Sequence, residues 1–341
     1  MSTIVVTGGS GFIAVHCIAH ALRAGHTVRT TLRTLSRQEE VRAMVRAGGA
    51  SDAQLHFFQA ELDRDEGWAT ALAGSEHVLH VASPTLALAS RNEDDFVRPA
   101  RDGVLRVLRA ARACGVARVV LTSAFGAVGY GHPPRATAFT EHDWTNVNGG
   151  IAPYQKSKTL AERAAWDFVA QEPGLELAVI NPGGVLGPLL GPDVGPSLQL
   201  PLRLLRGELR ACPRFTMPFV DVRDVAQLHL LAMTRPEAKN ERFLASSGAA
   251  LSVLDIANVL RARLGPLAAR VPTREVPSWL LRIAALFSAD ARSVLPQLDK
   301  HFSASSEKAR RLLGWTARPN EESLVDTARA FERFGLLQDA R

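Results

Sequence analysis

Tyr154 and Lys158 are the two residues of this chain whose types and spacing most directly suggest chemistry. They belong to the segment Tyr154-Gln-Lys-Ser-Lys158-Thr-Leu-Ala-Glu-Arg, in a chain with two tyrosines and five lysines. On a helix, four residues make about one turn, so the phenol and the ammonium would share a face. A phenol has a pKa of about 10, and a neighbouring cation favours its ionised form. The pair could therefore transfer a proton to a substrate oxygen. The alternative is an amphipathic helix that exposes one Tyr and one Lys.

A glycine-rich turn near the amino terminus is the second candidate site. Residues Thr3 to Thr7 predict a buried strand, and Gly8-Gly9-Ser10-Gly11-Phe12-Ile13-Ala14 follows it directly. Apolar residues then recur at helical spacing until Gly25, which predicts a strand, a turn and a helix. A tight glycine turn lets the N–H groups at a helix start hold a diphosphate. Ala14 replaces the usual third glycine, and its methyl is tolerable there. We predict that a dinucleotide binds at Gly8, Ser10, Gly11, Phe12 and Ile13.

The end of the second predicted strand distinguishes between the two nicotinamide dinucleotides. That strand spans His26 to Arg33, and no Asp or Glu follows before Glu39. An acidic residue at this point would bind a free ribose 2′-hydroxyl, whereas an arginine suits a 2′-phosphate. Arg33 and Arg37, with Arg29 as a further candidate, therefore predict NADP(H). A general excess of arginine in the chain is the alternative interpretation.

Length and composition are typical of one large α/β domain that carries a smaller one. The chain has 341 residues, of which 46% are hydrophobic, and a formal net charge of +6. Its basic residues are spread among glutamates without aromatic interleaving, so nucleic-acid binding is not predicted. The three cysteines and ten histidines do not cluster, which predicts neither a disulfide framework nor a metal site. No charged-then-apolar leader is visible and no apolar run approaches about 18 residues, so we expect a cytoplasmic protein without a membrane segment.

Strand and helix signals alternate along the chain. Further strand-like segments span Gln54 to Gln59, His77 to Ala82, Val116 to Ser123 and Leu175 to Asn181. This alternation predicts an α/β fold with a parallel, doubly wound sheet of the Rossmann type. Beyond Pro188 the sequence is rich in Gly and Pro, and sheet-like patterns return at 219–226 and 242–246. We therefore predict an NADP-binding domain over 1–188 plus 218–247, and a smaller, discontinuous substrate domain over 189–217 plus 248–341.

Three motifs together resemble one enzyme family. They are Thr7-Gly-Gly-Ser-Gly-Phe-Ile-Ala14, Tyr154-x-x-x-Lys158 and Ser306-Glu-Lys-Ala-Arg-Arg-Leu-Leu-Gly-Trp315. In combination they are similar to the extended short-chain dehydrogenases/reductases of the dihydroflavonol-reductase-like group, and most similar to bacterial NADP-dependent aldehyde and ketone reductases. The resemblance covers about residues 1 to 320. It implies an NADP-dependent oxidoreductase in which Lys158 holds the ribose hydroxyls of the cofactor and Tyr154 donates the proton.

The resemblance also implies where the rest of the cofactor and the substrate would lie. The adenine would be lined by Glu61 and Leu62, the underside of the cofactor by Val81, Ala82 and Ser83, and the nicotinamide by Asn181, Pro182 and Val185. Thr122 would be a further cofactor-binding residue. The substrate would be oriented by three segments: Leu86 to Leu88, Gly129 to His132, and Leu189 to Phe215. Few residues of these segments are charged, which favours an apolar aldehyde or ketone over a sugar nucleotide.

The sequence departs from the family pattern at the end of the fifth strand. There the family carries Thr-Ser-Ser, whose second serine bonds the substrate carbonyl, whereas this chain has Thr122-Ser123-Ala124. Neighbouring side chains of a strand face opposite sides, so Ser123 could be the catalytic donor only if the backbone shifted by one residue. The other interpretations are a weakened contact to the substrate or an NADP-binding protein without turnover. Losing one such donor costs about a hundredfold in rate, so we still expect an enzyme.

Two other function classes remain alternatives to carbonyl reduction. A nucleotide-sugar epimerase or dehydratase would share the fold, the glycine turn and the Tyr/Lys pair, but would hold NAD tightly. A non-catalytic NADP sensor is suggested by Ala124 alone. Gly129 stands where plant flavonoid reductases carry a substrate-selecting asparagine, so dihydroflavonol is not the expected substrate. A homodimer through the two helices that flank the active site is expected from fold analogy.

Overall fold

The computed structural model describes residues 1–84 and 93–338, and its centre is a seven-stranded parallel sheet. The strands are β1 (Thr3–Val6), β2 (Thr27–Leu32), β3 (Leu55–Gln59), β4 (His77–His80), β5 (Arg118–Thr122), β6 (Glu176–Pro182), β7 (Gly184–Leu186), β8 (Thr216–Met217), β9 (Phe219–Asp221), β10 (Glu241–Ala245) and β11 (Leu251–Ser252). The main sheet has the order β10-β6-β5-β4-β1-β2-β3, while β7 pairs with β9 and β8 with β11.

Helices flank this sheet and build the carboxyl-terminal part of the chain. They are α1 (Phe12–Arg23), α2 (Gln38–Ala47), α3 (Trp68–Leu72), α4 (Asp94–Ala113), α5 (Pro153–Gln171), α6 (Gln199–Arg206), α7 (Val222–Thr234), α8 (Val253–Leu264), α9 (Ser278–Ala284), α10 (Ala289–Val294), α11 (Glu307–Leu313) and α12 (Asn320–Arg333). Within residues 1–84 and 93–338, none of these helices combines the length and apolarity needed to cross a bilayer.

Both faces of the main sheet are covered by helices. In β1, Ile4 and Val6 belong to the core that includes α1, α2 and α7, whereas Val5 belongs to the core that includes α3, α4 and α5. Strands of this kind are buried on both sides, which explains why they read as continuous apolar runs rather than alternating ones. The predicted α/β class with a parallel, doubly wound sheet is therefore confirmed.

The predicted strand positions agree with the structure except around 219–226. There β9 ends at Asp221 and α7 begins at Val222, so only the first three residues of that segment are strand. The Asp221 carboxylate accepts a hydrogen bond from the Arg223 N–H at 2.8 Å and caps α7. An aspartate that caps a helix stops a strand, and this local effect outweighed the sheet-like pattern.

A second apolar core lies outside the main sheet. It is formed by side chains from 186–219, 253–271 and 324–331, so it draws on segments that are far apart in the sequence. The late Ser306–Trp315 motif joins the two parts of the chain: the Trp315 indole N–H donates to the Asp224 carbonyl at 2.9 Å, and Arg318 pairs with the Asp224 carboxylate at 2.9 Å. The motif therefore has a packing role in this fold.

Candidate active site

The glycine turn connects β1 to α1 as predicted. Gly8 has a φ of +71°, which favours glycine, and the Gly11 N–H donates to the Gly8 carbonyl at 2.9 Å to close the turn. A Cβ atom on Gly9 would overlap the Thr30 side chain. Gly11 is the N-cap of α1 and no side chain caps that helix, so the N–H groups of its first turn, including those of Phe12 and Ile13, are not satisfied by a cap. The turn offers the uncapped helix start that a diphosphate needs.

Arg33 and Arg37 differ in how they are engaged. Arg33 is exposed directly after β2, and its guanidinium has no ion-pair partner within 1–84 and 93–338. Arg37 lies beside the turn, 3.4 Å from the Ser10 hydroxyl, and pairs with Glu40 and Asp193, which raise its pKa. Of these two cations, Arg33 is therefore the one whose guanidinium is available to bind a ligand phosphate at this edge of the sheet.

Arg29 does not join this group. Its guanidinium donates to the Thr70 and Ala73 carbonyls at 2.6 and 2.8 Å and lies 4.1 Å from the centre of the Phe58 ring. These contacts hold it at the carboxyl end of α3, because position 29 lies within β2 and faces α3. The suggestion that Arg29 supports the cofactor phosphate is therefore wrong.

The residues predicted to follow β3 and β4 meet at the same edge of the sheet as the turn. A Cβ atom on Gly8 would lie 3.0 Å from the Ala82 Cβ, and the Ala82 N–H donates to the Thr7 hydroxyl at 2.9 Å. The Glu61 carbonyl accepts from the Trp68 indole at 2.9 Å, and Leu62 packs against Gly103 of α4. Carboxyl ends of neighbouring parallel strands form the crevice in which α/β proteins bind ligands.

Tyr154 and Lys158 lie on the first turns of α5, as predicted. Pro153 opens the helix, where a residue without an N–H costs nothing. The Lys158 ammonium donates to the Ser83 hydroxyl at 3.2 Å, which directs it to the end of β4. Tyr154 as a whole residue is 38% exposed, and the edge of its ring lies against Gly126, which follows β5. The phenol and the ammonium therefore face the same edge as the glycine turn.

The electrostatics of this pair differ from the sequence-based expectation. Burial lowers the pKa of Lys158 to about 8, and the nearby Glu162 carboxylate opposes that shift. The pKa of Tyr154 is raised, because the protein withholds water from its phenol. We had expected Lys158 to lower the pKa of Tyr154, whereas burial of the phenol raises it. At neutral pH the phenol is therefore in its protonated form.

Glu162, four residues after Lys158, is the centre of a buried network. Its side chain is fully buried and accepts from the Ser123 hydroxyl at 2.6 Å, the Asn181 amide at 2.7 Å and the Arg242 guanidinium at 2.6 Å. Arg242 in turn lies 3.8 Å from the centre of the Trp144 ring. The carboxylate thus ties α5 to β5, β6 and β10. The sequence analysis did not identify Glu162 as a site residue, although its spacing of four residues from Lys158 places both on the same helix face.

Ser123 does not face the cleft. Its N–H donates to the Ile180 carbonyl at 2.8 Å, which continues the Thr122–Ile180 register of β5 and β6, so the backbone is not shifted. Its hydroxyl donates to Glu162 on the α5 side of the sheet. The backbone shift on which a catalytic role of Ser123 depended is therefore absent, and the hydroxyl hydrogen is committed to a buried carboxylate. Ala124, which follows in extended conformation with a φ of −160°, is partly exposed.

The remaining cofactor candidates are more buried than expected. The Asn181 amide is turned towards Glu162, and Asn181, Pro182 and Val185 are buried at the ends of β6 and in β7. Thr122 shares a hydrogen bond of 2.7 Å with His229 of α7. These residues form the floor of the crevice and present little side-chain surface to it.

The segments predicted to orient a substrate have different outcomes. Leu86 to Leu88 lie outside the described residues. The turn from Gly129 to His132 borders a groove of about 310 Å³ that Phe139 and residues 299–302 also line. Leu189 and Phe215 are buried in the second core, with 2% and 7% of their surfaces exposed. A side chain at position 129 would overlap the Phe125 ring, so Phe125 occupies the space of the asparagine found there in flavonoid reductases.

Comparison with known proteins agrees with this arrangement. The model of the NAD dependent epimerase/dehydratase family matches residues 4–245. The chain belongs to this family. Tetraketide alpha-pyrone reductase 2 of Arabidopsis thaliana is 37% identical over 254 residues, which are 72% of this chain and 78% of that protein. Cinnamoyl-CoA reductase CAD2 of Medicago truncatula is 31% identical over 339 residues, with 97% and 96% covered.

Solved structures share the fold over nearly the whole chain. Gre2 of Candida albicans in complex with NADPH has a TM-score of 0.81 at 24% identity and covers 98% of this chain and 99% of its own. UDP-glucose 4-epimerase of Thermotoga maritima has a TM-score of 0.75 at 24% identity, with 97% and 99% covered. The predicted membership of the extended short-chain dehydrogenases/reductases is confirmed, and with it the enzyme class of an oxidoreductase that uses a nicotinamide dinucleotide.

The Glu162 network predicts a large loss of stability when its charge is removed. In Glu162→Gln, Arg242 loses its buried partner, and we expect the free energy of unfolding to fall by about 3 kcal/mol. Lys239→Met is the matched control, because it breaks the more exposed Lys239–Glu176 pair of 2.9 Å and should cost less than about 1 kcal/mol. Urea unfolding followed by tryptophan fluorescence measures both. Equal, small losses in the two variants would show that the network carries no net stability.

Proposed function

We propose that this protein reduces the carbonyl group of an aldehyde or ketone to an alcohol with NADPH, and that Tyr154 donates the proton. The observation that carries the proposal is the placement of Tyr154 and Lys158 on the first turns of α5, with the ammonium bound to Ser83 at 3.2 Å. Ser83 follows β4, and Ala82 before it packs against Gly8. The proton-donating pair and the dinucleotide turn are thus neighbours across one crevice.

The residues at the crevice fit a dinucleotide with a 2′-phosphate. The diphosphate would be held by N–H groups of Ser10, Phe12 and Ile13 at the uncapped start of α1. Arg33, exposed and unpaired within the described chain, would bind the 2′-phosphate through its planar guanidinium. Arg37 would support it from the side of Ser10. Glu61 and Leu62 would lie along the adenine, and Val81, Ala82 and Ser83 beneath the cofactor.

The chain's own groups account for the proton. A nicotinamide cofactor bound in this crevice would supply the hydride for the carbonyl carbon. Because its raised pKa keeps the Tyr154 phenol protonated, this side chain can donate to the oxygen that gains negative charge. Lys158, with a pKa of about 8, carries a positive charge at neutral pH, and that charge would stabilise the phenolate that remains. We assign Lys158 the further role of holding the ribose hydroxyls.

The substrate would lie between the crevice and the second core. The groove beside Gly129 is lined by the apolar side chains of Phe139, Phe302, Pro133 and Pro134. Arg135, Asp299 and Lys300 also line it, so it suits a carbonyl compound with an apolar or aromatic body and a polar end. The two relatives named above are reductases of an alpha-pyrone and a cinnamoyl thioester, which supports reduction over epimerisation. We further propose the division into an NADP-binding part, 1–188 plus 218–247, and a substrate-binding part, 189–217 plus 248–341, because each has its own core.

Replacing Tyr154 tests the proton donor. Tyr154→Phe should lower kcat for NADPH oxidation with a reactive aldehyde by about a thousandfold, because a general acid contributes on this scale. The dissociation constant for NADPH should change little, as the ring is kept. Thr234→Val is the control, because it removes a hydroxyl at the carboxyl end of α7 that donates to the Leu230 carbonyl at 2.9 Å, and it should keep full activity. Full turnover in Tyr154→Phe would remove Tyr154 from the mechanism.

Replacing Arg33 tests the choice of cofactor. Arg33→Ala should raise KM for NADPH by about tenfold to thirtyfold, since a charged hydrogen bond to phosphate is worth about 1.5–2 kcal/mol, and should leave KM for NADH nearly unchanged. Arg29→Ala removes an arginine that faces α3 and serves as the control. Steady-state rates of the wild type and both variants, measured over a range of NADPH and NADH concentrations, give these KM values. An equal change for NADPH and NADH would mean that Arg33 does not contact the 2′-phosphate.

Ala124 offers a test by gain of activity. Ala124→Ser would restore a hydroxyl beside the reacting carbonyl, and we expect kcat to rise by about tenfold to a hundredfold. Ser123→Ala should not lower kcat on that scale, because the Ser123 hydroxyl donates to Glu162 at 2.6 Å. Single-turnover rates with saturating NADPH measure both changes. A loss of activity in Ser123→Ala with no gain in Ala124→Ser would reinstate Ser123 as the donor.

A further inference from the structure

A cluster of exposed apolar side chains covers α9 and the turn that follows it. Its members are Trp279, Leu280, Ile283, Leu286 and Phe287, with exposed fractions of 64%, 45%, 48%, 70% and 86%. We call these five residues the α9 patch. In the described part of the chain the other large exposed hydrophobic residues are Met1, Leu35 and Tyr154, which lie apart from one another in sequence. Scattered apolar residues need no explanation, whereas a contiguous group of this size marks a binding surface.

Hydrogen bonds connect α9, the helix that carries the α9 patch, to Asp299. The Ser278 hydroxyl donates to the Asp299 carboxylate, and the Arg282 guanidinium donates to its other oxygen at 3.1 Å. Asp299 has a φ of +62°, and its N–H donates to the Arg214 carbonyl at 2.7 Å. No residue of α9 is buried, which reverses the usual orientation of a surface helix. Residues 299–302 line the groove beside Gly129, so the patch adjoins the proposed substrate side of the protein.

The area of the patch is suited to association with a second copy. Two aromatic and three aliphatic side chains exposed to this degree present on the order of 500–600 Å² of apolar surface. Two such patches facing each other would remove on the order of 1,000–1,200 Å² from water before any polar rim is added. Specific interfaces begin at about this size.

Charge favours a second copy over a lipid surface. Between Pro277 and Phe287 the one charged residue is Arg282, and Asp299 pairs with it. Membrane surfaces that carry anionic lipids are recognised by clusters of about four to eight basic residues, which this segment lacks. A patch without net charge can meet its own copy across a two-fold axis, although the net charge of +6 opposes close approach elsewhere.

We propose that the α9 patch is the isologous interface of a homodimer, in which α9 and residues 285–287 of one chain pack against the same segment of another. This differs from the interface expected from fold analogy, the pair of helices α4 and α5, which carries none of the large exposed hydrophobic side chains apart from Tyr154 in the cleft. The interface does not depend on which carbonyl compound the protein reduces.

Sedimentation velocity of the full chain at micromolar concentrations tests this interface. The wild type should approach twice the 36.8 kDa of one chain as its concentration rises. Trp279→Ser combined with Phe287→Ser should raise the dimer dissociation constant at least about thirtyfold, because one buried aromatic anchor alone is worth about 2 kcal/mol. Leu35→Ser removes an exposed apolar residue of another surface, 38% exposed, and should sediment as the wild type.

Three results would overturn the proposal. They are a wild type that stays monomeric throughout, a dimer that the double variant does not weaken, and flotation of the monomer with vesicles of phosphatidylcholine and phosphatidylglycerol that the double variant abolishes. The last result would assign the patch to a lipid surface. Circular dichroism and the thermal midpoint show whether the double variant is folded, and Phe287→Ser alone, at an 86% exposed position, replaces it if it is not.

Discussion

A single buried carboxylate, that of Glu162, fixes where α5 meets the sheet, and the rest of the site depends on it. Charge in the interior is costly unless it is paired and fully hydrogen-bonded. Here the donors come from three strands: Ser123 at the end of β5, Asn181 in β6 and Arg242 in β10. Rotation or sliding of α5 would break all three contacts together. Lys158 and Tyr154 lie one and two turns towards the amino terminus of the same helix, so their positions over the crevice follow from that of Glu162.

Burying the Lys158 ammonium beside this crevice lowers the stability of the folded chain, and the lowered pKa of Lys158 reflects this loss. The pKa of Lys158 is lowered to about 8 in the folded chain, against an unfolded value of about 10.4. The folded state therefore binds its proton less tightly than the unfolded state. Below about pH 8 both states are protonated and the full cost is present, and the cost is relieved as pH rises from about 8 to 10.4. A cation held at a cost in stability is typical of a functional site.

The features that could be predicted from sequence are those set by neighbours in the chain. The glycine turn, the strand positions and the Tyr154–Lys158 spacing depend on local backbone preferences and on helix geometry. The features that were missed depend on partners far away in sequence. Ser123 was kept as a candidate donor, on condition of a backbone shift, because nothing in the sequence links it to Glu162. Arg29 was considered near the cofactor because its contacts to α3 are 41 and 44 residues away. The end of β9 was misplaced because the sheet-like pattern of 219–226 continues past Asp221, the residue that caps α7.

The positions of Phe125 and of the α9 patch could not be predicted either, because both depend on the tertiary structure. The overlap of Phe125 with the space above Gly129 depends on a bend after β5 that periodicity does not reveal. The apolar residues of α9 have the composition of a core helix, and only the tertiary structure shows that they point outward. Apolar residues in a sequence predict a buried helix face. They do not show whether that face is buried by the same chain or by another one.

A crystal structure of the protein with NADP⁺ and an alcohol product would show whether Tyr154 delivers its proton beside a bound dinucleotide. The decisive quantity is the distance from the Tyr154 hydroxyl to the alcohol oxygen next to the nicotinamide ring. We expect about 2.6–3.2 Å for that distance, and a Lys158 ammonium bound to the ribose hydroxyls. A Tyr154 hydroxyl directed away from the nicotinamide, with the alcohol oxygen held by another side chain, would contradict it.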